Sequence, residues 1–393
     1  MTDRRYLASH PWLKFGAVDL SAAPYSLWML LGEASSKVEH LRGVPLRPEA
    51  QLRLHEIYLA KGAWATAQIE GNTLTEDEVR SLLEGGLELP PSREYQAQEI
   101  RNIVAAVNDI ANVLDRGGPQ ELTPELIADY NKAVLAALEV APGVVPGAYR
   151  EGSVGVGPYL GAPAEDVEFL SGRLCEWLGS NFNPPEDSPD LAFVFSLVKA
   201  ILAHLYFEWI HPFGDGNGRT GRLIEFHVLV SSGVPFPAAH LLSNHYNLTR
   251  PEYYRQLHLA SLSGGDYLPF LSYAVQGLVD GLRAQIGLVQ GEQVDVMWEN
   301  YVHQMLPGGT ESAERRRTLV FELSRQTEPT LRSNLMKLTP GIAVAYARKT
   351  PKTLTRDLNL LRKLGLIRPV SGQRLTANKE LMQGFLPRAV AGS

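Results

Sequence analysis

The stretch HPFGDGNGRTGR, residues His211 to Arg222, packs a proton acceptor, a carboxylate, an amide, two guanidiniums and several glycines between two apolar segments. Upstream, Phe195, Val198, Ile201, Leu202, Leu205 and Tyr206 recur at helical spacing, and downstream Leu223, Phe226 and Val230 do the same. The stretch therefore reads as a loop that opens a second helix. Such a loop suits a phosphate, because glycines admit close backbone approach and the unpaired N–H groups at a helix start attract anions. Arg219 and Arg222, three apart, lie on neighbouring positions of one helix face and can fork onto phosphate oxygens. Asp215 beside a phosphate calls for a cation between the two, and Mg²⁺ is the natural one. His211, with an ordinary imidazole, can act as a base near neutral pH. Together these groups point to phosphoryl or nucleotidyl transfer.

Two competing patterns fail. Gly216, Gly218 and Gly221 satisfy G-x-G-x-x-G, but that dinucleotide fingerprint must follow a strand and be answered by an acid about 20 residues on. Here a helix precedes it, and no acid occurs from Phe226 to Pro251. Asp215 and Asn217 begin like a calcium loop, yet Arg219 stands at the next ligand position. No G-x-x-x-x-G-K-[ST] pattern is present.

The same twelve residues resemble the Fic-domain signature HxFx(D/E)GN(G/K)RxxR and match it at every specified position. The resemblance implies an all-α fold, mainly helical, with a small β-hairpin flap. It also implies transfer of AMP from ATP to a Tyr, Ser or Thr hydroxyl of a target protein, with release of pyrophosphate. Carried over by position, His211 is the base, Phe213 anchors the loop, and Asp215 holds Mg²⁺. Gly216, Asn217 and Gly218 form the anion hole, while Arg219 steadies the phosphates and Arg222 meets the γ-phosphate. A second element agrees: Thr66-Ala67-Gln68-Ile69-Glu70-Gly71 fits the family's inhibitory pattern (S/T)xxxE(G/N). Thr66 and Glu70, four apart, share a helix face, and Gly71 with Asn72 reads as its end. In the resemblance Glu70 pairs with Arg222 and keeps the γ-phosphate from docking. Some relatives of this architecture remove AMP instead, with the same glutamate positioning water; a DNA-bound regulator with a nucleotide-sensing core is a further alternative.

Further out, residues 147–169 leave helical patterning, and Val154, Gly155 and Val156 read as part of a hairpin with one open edge. It resembles the flap on which a target segment adds as a strand. RPEYYRQL, from Arg250 to Leu257, resembles a segment near the adenine, so Tyr253 or Tyr254 can stack on the base or simply pack in the core. His204 and His227 read as buried histidines on apolar faces. No disulfide can form within a chain holding one cysteine, and Cys175 reads as a small core residue.

The chain has 393 residues, 45% hydrophobic and 20% charged, ordinary for a soluble protein of two or three domains. With no apolar run of 18 and no apolar h-region near the N-terminus, the expectation is a cytoplasmic protein without a membrane partner. Charge divides unevenly. Glu311 to Ser393 carry 16 Lys+Arg against 6 Asp+Glu; removing these from the chain's 37 and 43 leaves 21 against 37. The expected division is a helical region 1–90, with Tyr25, Leu27, Leu30, Leu31, Leu52, Leu54, Ile57 and Tyr58 as core candidates. A catalytic core at 91–290 and a linker at 291–310 follow. A winged helix-turn-helix domain occupies 311–393, with helices over 315–325, 331–338 and 342–348 and a last one capped by Thr353 or Thr355. Its basic surface (Lys349, Lys352, Arg356, Arg362, Lys363) invites DNA, while a protein-interaction or dimerisation module is the plainer alternative. ATP, target proteins (the chain itself included), DNA and a second copy are thus the expected partners.

Overall fold

A computed structural model describes residues 4–117, 121–157 and 159–382, and the chain divides into two units, Met1–Ile286 and Gly287–Ser393. The first unit is helical: α1 (Tyr6–Ser9), α2 (Tyr25–Gly43), α3 (Pro48–Ile69), α4 (Glu76–Leu83), α5 (Glu94–Gly117) and α6 (Pro124–Val134) come first. A hairpin of two short antiparallel strands, β1 (Gly155–Val156) and β2 (Tyr159–Leu160), precedes α7 (Val167–Ser180), α8 (Ala192–Ile210) and α9 (Asn217–Ser231). Then come α10 (Phe236–Ala239), α11 (Leu241–Leu248), α12 (Arg250–Leu262) and α13 (Leu268–Met305).

α8 is the central element. Fourteen of its residues are buried, from Phe193 through Ile210, so it is apolar all round, as a helix enclosed by others must be. Pro189–Ile210 is the one segment among the described residues long and apolar enough to cross a membrane, yet of its most apolar 18-residue stretch, at mean hydropathy 1.6, 67% is buried inside the fold. Lys199 and Glu208 interrupt it, so the sequence holds no unbroken apolar run there.

The small residues of α3 allow close approach of its neighbours: Ala60, Ala63 and Ala67 are buried, and a side chain at Gly62 would collide with His240. α3 packs on α5, α10 and α11, so the first ninety residues share one core with the rest of the unit rather than standing apart at Pro90. Leu27, Leu31 and Tyr58 are core, but Tyr25 is 90% and Leu52 59% exposed; apolar residues lie on more than one face of those helices, and only one face packs. α4 starts at a capping box, Thr75 Oγ1 accepting from the Glu78 N–H at 3.2 Å and Glu78 Oε2 from the Thr75 N–H at 2.8 Å.

The second unit has its own core, built on Trp298, Val302, Leu319, Leu323, Leu335, Ile342, Tyr346, Leu358 and Leu361. Residues 291–305 are not a linker: α13 continues through them to Met305, and only 306–310 are non-helical. α14 (Glu311–Ser324) is followed by β3 (Thr330–Leu331), α15 (Pro340–Tyr346), α16 (Pro351–Lys363), β4 (Ile367–Val370) and β5 (Arg374–Ala377). The sheet is antiparallel in the order β3-β5-β4, with Ile367 opposite Ala377 and Val370 opposite Arg374. Leu331 therefore begins no helix; it pairs with Arg374 and leads into a 3₁₀ turn over Arg332–Lys337. Thr350, not Thr353 or Thr355, precedes α16, because Pro351 takes the first helical position, where a missing N–H costs nothing. Gly365, at φ +71°, closes it as expected. The expected domain extends to Ser393, of which 383–393 lie outside the described residues.

Asp357 organises this unit from within. Its carboxylate, 1% exposed, accepts from Arg315 Nε at 2.9 Å, Arg316 Nε at 2.6 Å and the Tyr346 hydroxyl at 3.0 Å. Removing one partner of a buried ion pair strands the other, at about 3–5 kcal/mol. Asp357→Ala is accordingly expected to lower the thermal transition of the second unit in a circular-dichroism melt; an unchanged melt would show the carboxylate to be dispensable.

Candidate active site

The turn between α8 and α9 is held from several sides. His211 ends α8 in the left-handed region, φ +51°, a conformation that is strained for a non-glycine residue and persists only when its surroundings impose it. Arg150, itself buried, imposes it: Nε donates to the His211 carbonyl at 2.7 Å, Nη1 to Gly152 at 2.7 Å, and Nη2 to the Ala162 carbonyl. One guanidinium thus ties the loop to the segments on either side of the β1–β2 hairpin. Phe213 is 1% exposed and stacks on Tyr149, with ring centroids 5.7 Å apart, so it anchors the turn as the motif implied. Asn217 clasps the loop: Nδ2 donates to the Phe213 carbonyl and Oδ1 accepts from the Phe213 N–H, both at 2.9 Å. Its side chain is therefore spent on the loop, and what it can offer an anion is its backbone N–H at the start of α9. Gly216, at φ +75°, precedes that start.

A cleft of about 680 Å³ opens over this turn, a size that suits a nucleotide-sized ligand. Val154, Gly155, His211, Asp215, Gly216, Asn217, Gly218, Arg222, Tyr253, Tyr254 and Glu70 all line it, together with Glu208, Trp209 and Tyr159. Val156 lies in β1 opposite Tyr159. Arg219 is not among the lining residues. Its Nη1 reaches Glu99 at 2.9 Å and its Nη2 reaches Asp215 at 3.3 Å, with 7% of the side chain exposed. Thr66 and Gly71 also stay out of the wall, though the Thr66 carbonyl takes part through Arg222.

Arg222 is the most enclosed charge in the cleft, its side chain 1% exposed. Nη2 donates to Glu70 Oε1 at 2.6 Å and to the Thr66 carbonyl at 3.0 Å. Burial alone works against its charge, but Glu70, with Tyr253 and Glu208 beside it, outweighs that and raises the guanidinium's pKa. Glu70 is the last residue of the α3 turn, with Gly71 at φ +102° and the Asn72 N–H bonded back to the Ala67 carbonyl at 3.1 Å. Its carboxylate also lies against Gly218, where any side chain would overlap it. Glu70 thus sits where an anion would meet the start of α9.

Tyr253 and Tyr254 part company. Tyr253 is 1% exposed and its hydroxyl bonds His204 Nε2 at 2.8 Å; burial depresses His204 to about 4, which keeps it neutral. Tyr254 is 37% exposed and donates to the Ile69 carbonyl at 3.1 Å, leaving its ring against the cleft. Tyr254 is thus the better placed of the two for stacking. His227 is buried and paired with the Tyr130 hydroxyl at 2.7 Å. Cys175, pushed up to about 12 by burial, is an inert thiol.

Asp215 can hold a cation only in a limited way. Its Oδ1 accepts from Arg219 and from the Gly216 N–H, while its side chain remains 46% exposed at the cleft. Among the described residues no group of three metal ligands exists. A lone carboxylate of this kind fits Mg²⁺, which takes one or two carboxylates and draws its other ligands from water and substrate phosphates.

Glu99, Arg150 and Glu208 escaped the sequence reading. Glu99 and Arg150 are distant in sequence from the loop and carry no local pattern. Glu208 sits one helical turn before His211, and that i, i+3 spacing was a signal within reach.

A buried histidine, a carboxylate, a helix start and an enclosed arginine answered by a glutamate define a cleft whose chemistry suits an anionic ligand. The Fic/DOC family matches residues 121–229, and the chain carries a Fic domain, on the helical fold of that family. Protein adenylyltransferase fic-1 of Caenorhabditis briggsae and that of Caenorhabditis elegans are each 29% identical over 232 residues, 59% of this chain and 42% of the relative. Protein adenylyltransferase Fic of Aedes aegypti is 29% identical over 243 residues, 61% of this chain and 43% of the relative. The chain thus spans less than half the length of these curated relatives. Among solved structures, a Fic family protein from Desulfovibrio desulfuricans superposes with a TM-score of 0.56 at 22% identity, covering 90% of this chain and 95% of its own. A fragment of C. elegans Fic-1 does so at 0.51 and 23% identity, covering 67% and 73%.

Proposed function

We propose that the cleft transfers AMP from ATP to a hydroxyl side chain of a target protein and that Glu70 holds this activity down. The contact that carries the reading is Glu70 Oε1 on Arg222 Nη2, 2.6 Å, across a cleft that also contains His211 and the start of α9. The names of the curated relatives support the reaction class.

In the transfer, the target hydroxyl oxygen attacks the α-phosphorus, the bond from that phosphorus to the bridging oxygen breaks, and pyrophosphate leaves with the electron pair. His211 accepts the hydroxyl proton. The backbone N–H groups at the start of α9 face the charge that builds on phosphate oxygens, an arrangement that needs no reorganisation during reaction. Mg²⁺ bound through Asp215 and the phosphates would neutralise part of that charge. The target is presented by β1, whose only strand partner among the described residues is β2, so that an extended segment can add along its other edge beside Val154 and Gly155. Glu70 opposes all this by occupying the guanidinium that the γ-phosphate needs. A charge-assisted hydrogen bond is worth about 1.5–3 kcal/mol, so freeing Arg222 should raise transfer roughly ten- to hundred-and-fifty-fold.

With α-labelled ATP and a protein lysate, Glu70→Gly should label protein by that factor above the parent. Glu70→Gly/His211→Ala should lose about 10²- to 10⁴-fold relative to Glu70→Gly. Equal labelling by parent and Glu70→Gly would remove the inhibitory role, and undiminished labelling by the double variant would remove the base.

A second reading concerns the unit from Gly287. We propose that it is a winged helix-turn-helix module that binds duplex DNA through α16. Lys352, Arg356, Asn359 and Lys363, spaced as one helical stripe, are all exposed, and none of the three cations has an ion-pair partner among the described residues. Asp357, the only acid in α16, is turned inward. Each phosphate contact contributes nearly one unit to the salt slope of binding. Lys352→Glu/Arg356→Glu should weaken duplex binding and flatten that slope by about two; absence of salt-dependent binding by the parent would dismiss the module's role.

A further inference from the structure

One buried carboxylate in the cleft remains without an assignment. Glu208 lies one turn before His211 on α8, with its side chain 13% exposed and Oε2 3.6 Å from His211 Nδ1. Three features show that the pocket is built around it. Gly221 leaves it room, since a methyl group there would come within 2.7 Å of Glu208 Oε1 and 3.0 Å of His204 Nδ1. His211 Nδ1 is buried without a hydrogen-bond partner, and Glu208 Oε2 stands 3.6 Å from it, so this carboxylate offers the acceptor that nitrogen lacks. Burial by itself would raise the carboxyl group, but His211 and the Arg222 guanidinium beside it pull it down, so Glu208 is held as an anion.

An anion at this place determines which imidazole nitrogen does the work. A carboxylate can only accept, so it selects the tautomer with hydrogen on Nδ1 and leaves Nε2 with its lone pair. The strained backbone at His211 and the Arg150 clamp on its carbonyl fix where the ring begins; Glu208 fixes how it is turned and which nitrogen is bare. We infer that Glu208 is the positioning residue of His211, accepting from Nδ1–H so that Nε2 takes the proton of the incoming hydroxyl. The proton that arrives on Nε2 makes an imidazolium, which the neighbouring carboxylate then stabilises. The 3.6 Å separation closes to a hydrogen bond with a small rotation of either side chain, as catalytic pairs do when substrate binds.

The inference rests on the AMP-transfer reading, and its test separates the two. In the Glu70→Gly background, Glu208→Gln and Glu208→Ala should lower kcat by between about tenfold and 10⁴-fold, the span from weakly to fully dependent bases, with KM for ATP unchanged. Glu208→Asp should recover part of the loss. Independently of any turnover, nitrogen NMR of the histidine-labelled protein should show His211 with hydrogen on Nδ1 in the parent and a shift toward the Nε2–H form in Glu208→Ala. An inactive Glu70→Gly protein whose His211 tautomer still depends on Glu208 would contradict the transfer reading and keep the positioning role. A tautomer that does not respond to Glu208→Ala, or a rise in KM with kcat intact, would overturn the inference.

Discussion

Arg222 is a fully enclosed cation, and the cleft is arranged around the question of which anion satisfies it. In the structure the answer is Glu70, delivered from the end of α3 by a helix stop that Gly71 makes possible. An unpaired guanidinium at that depth would be costly. Removing Glu70 leaves that cation in want of an anion, and on the proposed reading the polyphosphate of a nucleotide supplies it. Inhibition and substrate binding are, on that reading, one interaction with two occupants.

That competition requires the two helices to be fixed relative to each other. α3 supplies small residues against α5 and α11, and Asn72 bridges to α5 through the Gln96 carbonyl at 3.0 Å and Glu99 Oε2 at 2.9 Å. Glu99 in turn binds Arg219 on α9. The end of α3 and the start of α9 thus meet on α5. Arg219, which the motif suggested as a phosphate ligand, here secures this junction. Release of Glu70 then needs only a side-chain movement, whereas displacing α3 would disturb the core.

What the sequence made legible followed from local pattern. The loop, both flanking helices, the glutamate and its turn, and the hairpin near Val154 all rest on spacing within a few residues. What stayed hidden are partners distant in sequence. Nothing near Arg219 announces Glu99, nothing near His211 announces Arg150, and Tyr253 resembled Tyr254 until the fold turned one inward and the other toward the cleft. In the second unit, Leu331 looked helical because its apolar neighbours recur, but pairing with Arg374 prevailed over local preference. The linker expected at 291–310 failed for a related reason: the polar residues there are the solvent face of a helix that continues to Met305.

The central claim is that Glu70 and the γ-phosphate compete for Arg222, and the affinities of ATP and ADP measured by calorimetry for the parent and Glu70→Gly proteins address it directly. The account predicts similar affinities for the two nucleotides in the parent, and a gain of about tenfold or more for ATP alone in the variant, since only ATP carries the competing group. Equal gains for ATP and ADP, or no gain for either, would contradict it.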